Sequence, residues 1–103
     1  MKKPETKFKE MVMPKLRELP YSWWEKIQQK SLCGTPDILG CIAGTFVAIE
    51  LKKDEYARIT ELQQYKLDQI DRAGGVALIV TPESWNRVYS RLLKFSKGVK
   101  NEL

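Results

Sequence analysis

The sequence contains no histidine and only two cysteines, Cys33 and Cys41. Without histidine, Ser-His and Cys-His nucleophilic catalysis are excluded. The cysteines stand too far apart for a CxxC pair and have no histidine to join in a zinc site, so reduced, packed thiols are expected. No apolar run approaches the roughly 18 residues needed to cross a bilayer. The start, "MKKPETKFKE", is charged, with no apolar stretch behind it to act as a secretory signal. Repeats, low-complexity tracts and linkers are also missing. These absences point to a cytoplasmic, intracellular protein away from membranes. Any chemistry in it must come from carboxylates, lysine, tyrosine or a metal ion.

The 103 residues suffice for one domain, 1–103, with one core. A hydrophobic share of 43% beside 30% charged residues suits a globular chain and argues against disorder. The formal charge is +5. Basic residues crowd both ends: Lys2, Lys3, Lys7, Lys9 and Lys15 at one, Arg87, Arg91, Lys94, Lys97 and Lys100 at the other. Such clusters attract phosphate backbones. They are equally compatible with a plain solvated surface.

Hydrophobic spacing sets the elements. Phe8, Val12, Leu16 and Leu19 fall on one stripe and predict a helix over 4–19, kinked or split at Pro14 and ended by Pro20. "YSWWEKIQQK" reads as a strand and "LCGTP" as a loop. Apolar runs over 37–42 and 45–52, joined by Ala43-Gly44, form a hairpin signal. A helix is expected over 59–73 with an apolar face of Ile59, Leu62, Leu67, Ile70 and Ala73, stopped by Gly74-Gly75. "VALIV" is a short strand, and a last helix opens with Thr81 as N-cap and Pro82 at its first position. The order is α-β-β-β-α-β-α. Runs apolar on both faces imply an α/β fold, a sheet covered on both sides by helices.

A two-residue hairpin loop makes paired positions sum to 87, which sets Asp37 opposite Glu50, with Cβ atoms about 4.5–5.5 Å apart. Lys52, two residues beyond Glu50, shares its face. Two close carboxylates repel each other and resist burial. A divalent cation relieves both costs. Oxygen ligands from Asp37 and Glu50, a backbone carbonyl and water suit Mg²⁺ or Mn²⁺. Such an ion acidifies a bound water and steadies charge on a phosphate, and a neighbouring lysine assists. The set is a coherent phosphodiester-hydrolysis site. Taken singly, Asp37 also reads as a turn residue after Pro36, and Glu50 and Lys52 as a solvated edge. A one-residue slip would turn Asp37 to the other face.

Two further polar residues point the same way. Glu5 falls near the centre of the first helix's apolar stripe, whereas Glu10 falls on the solvent side. Glu5 also suits the helix dipole, being in the first turn. Gln63 lies in the middle of the second helix's apolar face and needs partners, either sheet backbone or an active site. Lys66, near the edge of that face, either snorkels outward or faces DNA.

"GTPD" (34–37), "IELKK" (49–53) and "LQQYKLDQIDRAGG" (62–75) together resemble the PD-(D/E)XK nuclease superfamily. More narrowly, they are similar to the small VRR-NUC and Holliday-junction-resolvase-like nucleases of phages and archaea. The resemblance covers roughly 4–85. It implies a restriction-endonuclease-like core, αβββαβ followed by a C-terminal helix, with a mixed sheet flanked by helices. It implies Asp37 and Glu50 as metal ligands, completed by the Leu51 carbonyl, and Lys52 as the catalytic lysine. Gln63 matches the glutamine on the helix after the ExK motif. Glu5 matches the acidic residue of the first helix, a catalytic or metal-binding position, with Glu10 as its neighbour.

The expected activity is a structure-selective DNA endonuclease dependent on Mg²⁺ or Mn²⁺, resolving four-way junctions, without an organic cofactor. Lys26, Gln28, Lys53 and Lys66 are the candidate DNA contacts. A junction needs two cuts, so one active site per chain implies a C2 homodimer. Trp23, Trp24, Trp85 and Tyr89 suit a dimer surface, base stacking or the core. The rivals are a nickase, flap or restriction-type nuclease on other DNA, and an inactive DNA-binding module on the same fold.

Overall fold

The computed structural model describes residues 2–28, 33–99 and 103. Gln29, Lys30, Ser31, Leu32 and Lys100, which carry part of the expected first strand, its following loop and the terminal charge, lie outside them.

The elements follow the expected order: α1 (Pro4–Arg17), β1 (Ser22–Lys26), β2 (Ile38–Ile42), β3 (Thr45–Leu51), α2 (Glu61–Arg72), β4 (Val76–Val80) and α3 (Trp85–Ser96). The sheet order is β1-β2-β3-β4. The first three strands are antiparallel, and β4 runs parallel to β3, so the sheet is mixed.

Helix α1 begins with Pro4 at its first turn, where a missing N–H costs nothing. It runs through Pro14 as one helix rather than splitting, and ends at Arg17, before Pro20 is reached. Pro14 is exposed and sits in the last turns, so water can reach the carbonyl its ring leaves without a donor. The stripe Phe8, Val12, Leu16 and Leu19 is buried throughout.

The β2–β3 turn is the two-residue Ala43-Gly44 loop, with φ of 47° and 86°. Positive φ at both positions is the primed turn whose twist suits a hairpin. Glycine adopts it freely, and Ala43 follows despite its Cβ. The register is the expected one, from Ile42 opposite Thr45 to Ile38 opposite Ile49.

Alternation along these strands gives the sheet two unlike faces. Trp24, Ile38, Ile42, Val47, Ile49, Leu51 and Val80 point to one face and form the core with α1 and α3. Trp85 joins those helices, its ring 6.3 Å from that of Phe8 and 5.4 Å from that of Tyr89. Gly40 lies under Trp24, where an added Cβ would stand 2.3 Å from the indole. Trp24 and Trp85 are therefore core residues, while Trp23 is 63% exposed. Helix α2 lies on the opposite face, against β3 and β4.

Two boundaries differ from expectation. The last helix starts at Trp85, not near Pro82. Thr81 and Ser84 bond each other instead: the Ser84 N–H donates to Thr81 Oγ1 at 3.2 Å, and the Thr81 N–H to Ser84 Oγ at 3.0 Å. This reciprocal pair has the form of a capping box, and the regular helix begins directly after it. The apolar face of α2 is also less covered than its spacing implies. Leu67 is buried, Ile70 is half-buried, and Leu62 and Ala73 are exposed. Fewer strands lie beneath α2 than an all-round core would need.

Candidate active site

The site is built where β3 ends. The strand stops at Leu51, and the Lys52 N–H still donates to the Val80 carbonyl at 2.9 Å, which holds Lys52 against β4. Glu50 lies one residue inside, on the α2 face of the sheet. Asp37 stands just outside β2, one position beyond the Ile38–Ile49 pair and so beside Glu50. Its carboxylate Oδ2 accepts the Leu51 N–H at 2.7 Å, and its carbonyl accepts the Ile27 N–H at 2.8 Å. Asp37 is thus fixed to strands on both sides. In an antiparallel pair the N–H and C=O of one residue leave on the same edge, so the Leu51 carbonyl faces the edge that Asp37 occupies.

Glu50 is only 4% exposed. Its Oε2 lies 3.3 Å from the Lys52 ammonium and accepts a hydrogen bond from the Gln63 amide Nε2 at 3.1 Å. The Gln63 Oε1 accepts from Lys52 Nζ at 3.1 Å and from the Thr60 N–H at 2.9 Å. Glu50, Lys52 and Gln63 thus close a ring of three polar contacts. Burial pushes the Glu50 carboxyl above its ordinary value, and the negative charge of Asp37 pushes the same way. The Lys52 ammonium, its hydrogen bond and the Asp37 N–H oppose the shift without cancelling it.

Gln63 has a further structural duty. The Thr60 Oγ1 accepts the Gln63 N–H at 3.1 Å, and with the reverse contact this makes a capping box at the start of α2. The Thr-x-x-Gln spacing at 60–63 announces such a box in the sequence, a signal separate from the glutamine's place on an apolar face and its match to the helix after the ExK motif. The box positions the amide: with Oε1 held by Thr60, Nε2 is turned to Glu50.

Glu5 does not stand with this group. It lines a separate surface recess with Lys3, Pro4, Lys53 and Asp54. Among the described residues, no three His, Cys, Asp or Glu side chains come close enough to hold one ion. The first turn of α1 lies beside the loop after β3, so Glu5 shares its recess with Lys53 and Asp54. Glu10 faces solvent in an ion pair with Lys2 at 2.6 Å.

Of the candidate DNA contacts, Lys26, Gln28 and Lys53 are exposed. Lys66 is half-buried and donates to Thr35 Oγ1 at 3.0 Å, in the loop preceding Asp37. Thr35 was not singled out from the sequence. Its signal was only its place two residues before Asp37.

The carboxylates supply hard oxygen donors at a site that repels their own charge, and an adjacent ammonium and amide are fixed by hydrogen bonds. That set suits a small divalent cation with open positions for water and a phosphate. Compared with family models, curated proteins and solved structures, the chain matches none. No helix among the described residues is long and apolar enough to cross a membrane.

Proposed function

We propose that this chain is a divalent-metal-dependent DNA endonuclease of the PD-(D/E)XK kind, with a restriction-endonuclease-like αβββαβ core. The observation that carries the proposal is the convergence of Asp37, Glu50, Lys52 and Gln63 at one end of the β2–β3 hairpin. A structural ion pair would account for Glu50 and Lys52, and the Leu51 N–H for one oxygen of Asp37, but neither removes the repulsion that Asp37 exerts on a buried carboxylate.

Asp37, Glu50 and the Leu51 carbonyl would hold Mg²⁺ or Mn²⁺. When bound, such an ion acidifies water and neutralises phosphate charge. Lys52, 3.3 Å from Glu50 Oε2, is held to the site by its pair and by Gln63. Its ammonium donates to the scissile phosphate, where negative charge grows during in-line attack. Gln63 keeps Glu50 and Lys52 in place as the substrate enters. Exposed Lys26 and Lys53 draw the DNA backbone to the site.

The substrate of this reading is branched DNA, with a homodimer supplying the two active sites that a four-way junction requires. The experiment incubates the protein with labelled four-way junction, flap and plain duplex, with Mg²⁺, Mn²⁺ or EDTA, beside Lys52→Ala and Asp37→Ala. Metal-dependent cutting that both variants lose is the expected result. Binding without cutting of any substrate would contradict the enzyme, and equal cutting of duplex and junction would contradict the junction preference. Sedimentation of the same sample reads the dimer.

A further inference from the structure

The α2 face of the sheet carries an open cavity whose border reaches the site through Thr35 and Pro36, the residues that precede Asp37. It has a volume of about 430 Å³ and is bordered by Thr35, Pro36, Leu39, Phe46, Lys66 and Ile70, among others. Small-ligand pockets span about 300–1,000 Å³. Three connections join it to the site. Thr35 and Pro36 run straight into Asp37. Leu39 is two residues along β2 on the same face, roughly 7 Å further at strand rise. Lys66 is one helical turn beyond Gln63 on α2.

The cavity has an apolar floor with an aromatic ring at its far side. Phe46 is 44% exposed, although it belongs to a strand otherwise buried from Val47 to Leu51. Its ring rests on Gly75, where an added Cβ would lie 3.1 Å from the ring and 3.0 Å from Ile70. The ring is therefore seated, yet leaves much of its surface open. At the near side, the Lys66 ammonium is held over the loop by Thr35. A cation toward the carboxylate site and an aromatic ring beyond it match one nucleotide, phosphate first and base second.

We propose that this cavity takes an unstacked nucleobase of the substrate strand, next to the phosphate being cut. The base stacks on Phe46 over Leu39 and Ile70, and its phosphate meets Lys66. A base still paired within a duplex cannot reach the cavity, so the site selects DNA with unpaired nucleotides at a branch point or single-stranded end. This rests on the nuclease reading for the path of the strand and adds the feature by which the substrate is chosen.

The test measures binding rather than cutting. Two labelled duplexes differ at one position, 2-aminopurine being unpaired in one and paired with thymine in the other. Affinities are read by anisotropy with Ca²⁺ in place of Mg²⁺, for the wild type, Phe46→Ala and Phe46→Tyr. The wild type should prefer the unpaired probe by about 10-fold, within the range that base–aromatic stacking gives. Phe46→Ala should remove that preference in protein that calorimetry shows to be folded, and Phe46→Tyr should keep it. Equal affinities in the wild type, or a preference that survives Phe46→Ala, would overturn the proposal and leave the nuclease reading standing. A preference without cleavage in Mg²⁺ would overturn the nuclease reading alone. Failure to bind either probe would overturn both. Conversion of a dimer to a monomer by Phe46→Ala would assign the cavity to a second copy of the chain and overturn the base pocket.

Discussion

The two faces of the sheet are made from the same strands and have opposite characters. In β3, Val47, Ile49 and Leu51 enter a dry core under α1 and α3, while Phe46, Ala48 and Glu50 point toward α2. The core face is closed by two helices that meet through Trp85. The other face is only partly covered, because α2 lies over β3 and β4 and leaves Trp23 and Phe46 open. A two-residue period lets one strand supply the core on one side and the polar cluster on the other. Partial cover suits the proposed reading, in which α2 screens Glu50 from water while the uncovered part would admit DNA.

Substitutions on the two faces should therefore fail in different ways. The largest effect is expected at the site: Lys52→Ala or Asp37→Ala should lower cleavage by about 100- to 1,000-fold, the range for removing one preorganised charge or donor. Asp37→Ala also removes the acceptor of the Leu51 N–H, and Lys52→Ala the partner of buried Glu50, so both should lose some stability, and cleavage is compared per folded molecule after calorimetry on the same samples. On the core face, Ile49→Ala should cost about 2–5 kcal/mol of stability. That is a drop on the order of 10 °C or more for a chain this size, with cleavage per folded molecule unchanged. A large loss of activity in fully folded Ile49→Ala would break the separation of the faces.

Gln63 belongs to both accounts, because its amide closes the capping box and holds Glu50 and Lys52. Gln63→Ala should cost about 1 kcal/mol through the cap. It should also lower cleavage by about 10-fold, since Lys52 and Glu50 lose a positioning partner. Thr60→Ala removes the cap hydroxyl and leaves the amide contacts to the site. A Thr60→Ala protein as slow as Gln63→Ala would mean that Gln63 acts only by starting the helix.

The hairpin half of the site was legible in the sequence. A Gly-containing two-residue loop sets the register, and the register sets Asp37 beside Glu50. Period-two alternation then places Lys52 with Glu50 and sends Leu51 to the core. The helical half was less legible. Seven-residue spacing puts Glu5 on the buried stripe and α1 brings it to the end of β3 that carries the site, but into a recess with Lys53 and Asp54, a distinction that its position around the helix axis does not encode. The apolar side of α2 looked like a core face, yet Leu62 and Ile70 border open space. Whether a strand lies under a helix is a matter of sheet width, which no local pattern encodes. Thr81 resembled an N-cap because Pro82 follows it, and its hydroxyl does accept the Ser84 N–H three residues on, but the regular helix begins only at Trp85.

In the proposed reading, the sheet tolerates a buried carboxylate beside another because a divalent cation would share them. Without metal, Glu50 holds its proton above the ordinary glutamate range. The unfolded chain releases that proton first, so stability should fall as pH rises from about the ordinary glutamate value of 4.5 through the raised one. Glu50→Gln should flatten that decline and raise the metal-free melting temperature at pH 7. The most direct measurement is a Mn²⁺ titration of melting temperature at pH 7 for the wild type and Glu50→Gln. The wild type should gain stability with added Mn²⁺, approaching about 2.7 kcal/mol at 100 times the dissociation constant. Glu50→Gln should start higher and gain almost nothing. A wild-type protein indifferent to Mn²⁺, or a variant that responds equally, would contradict the account.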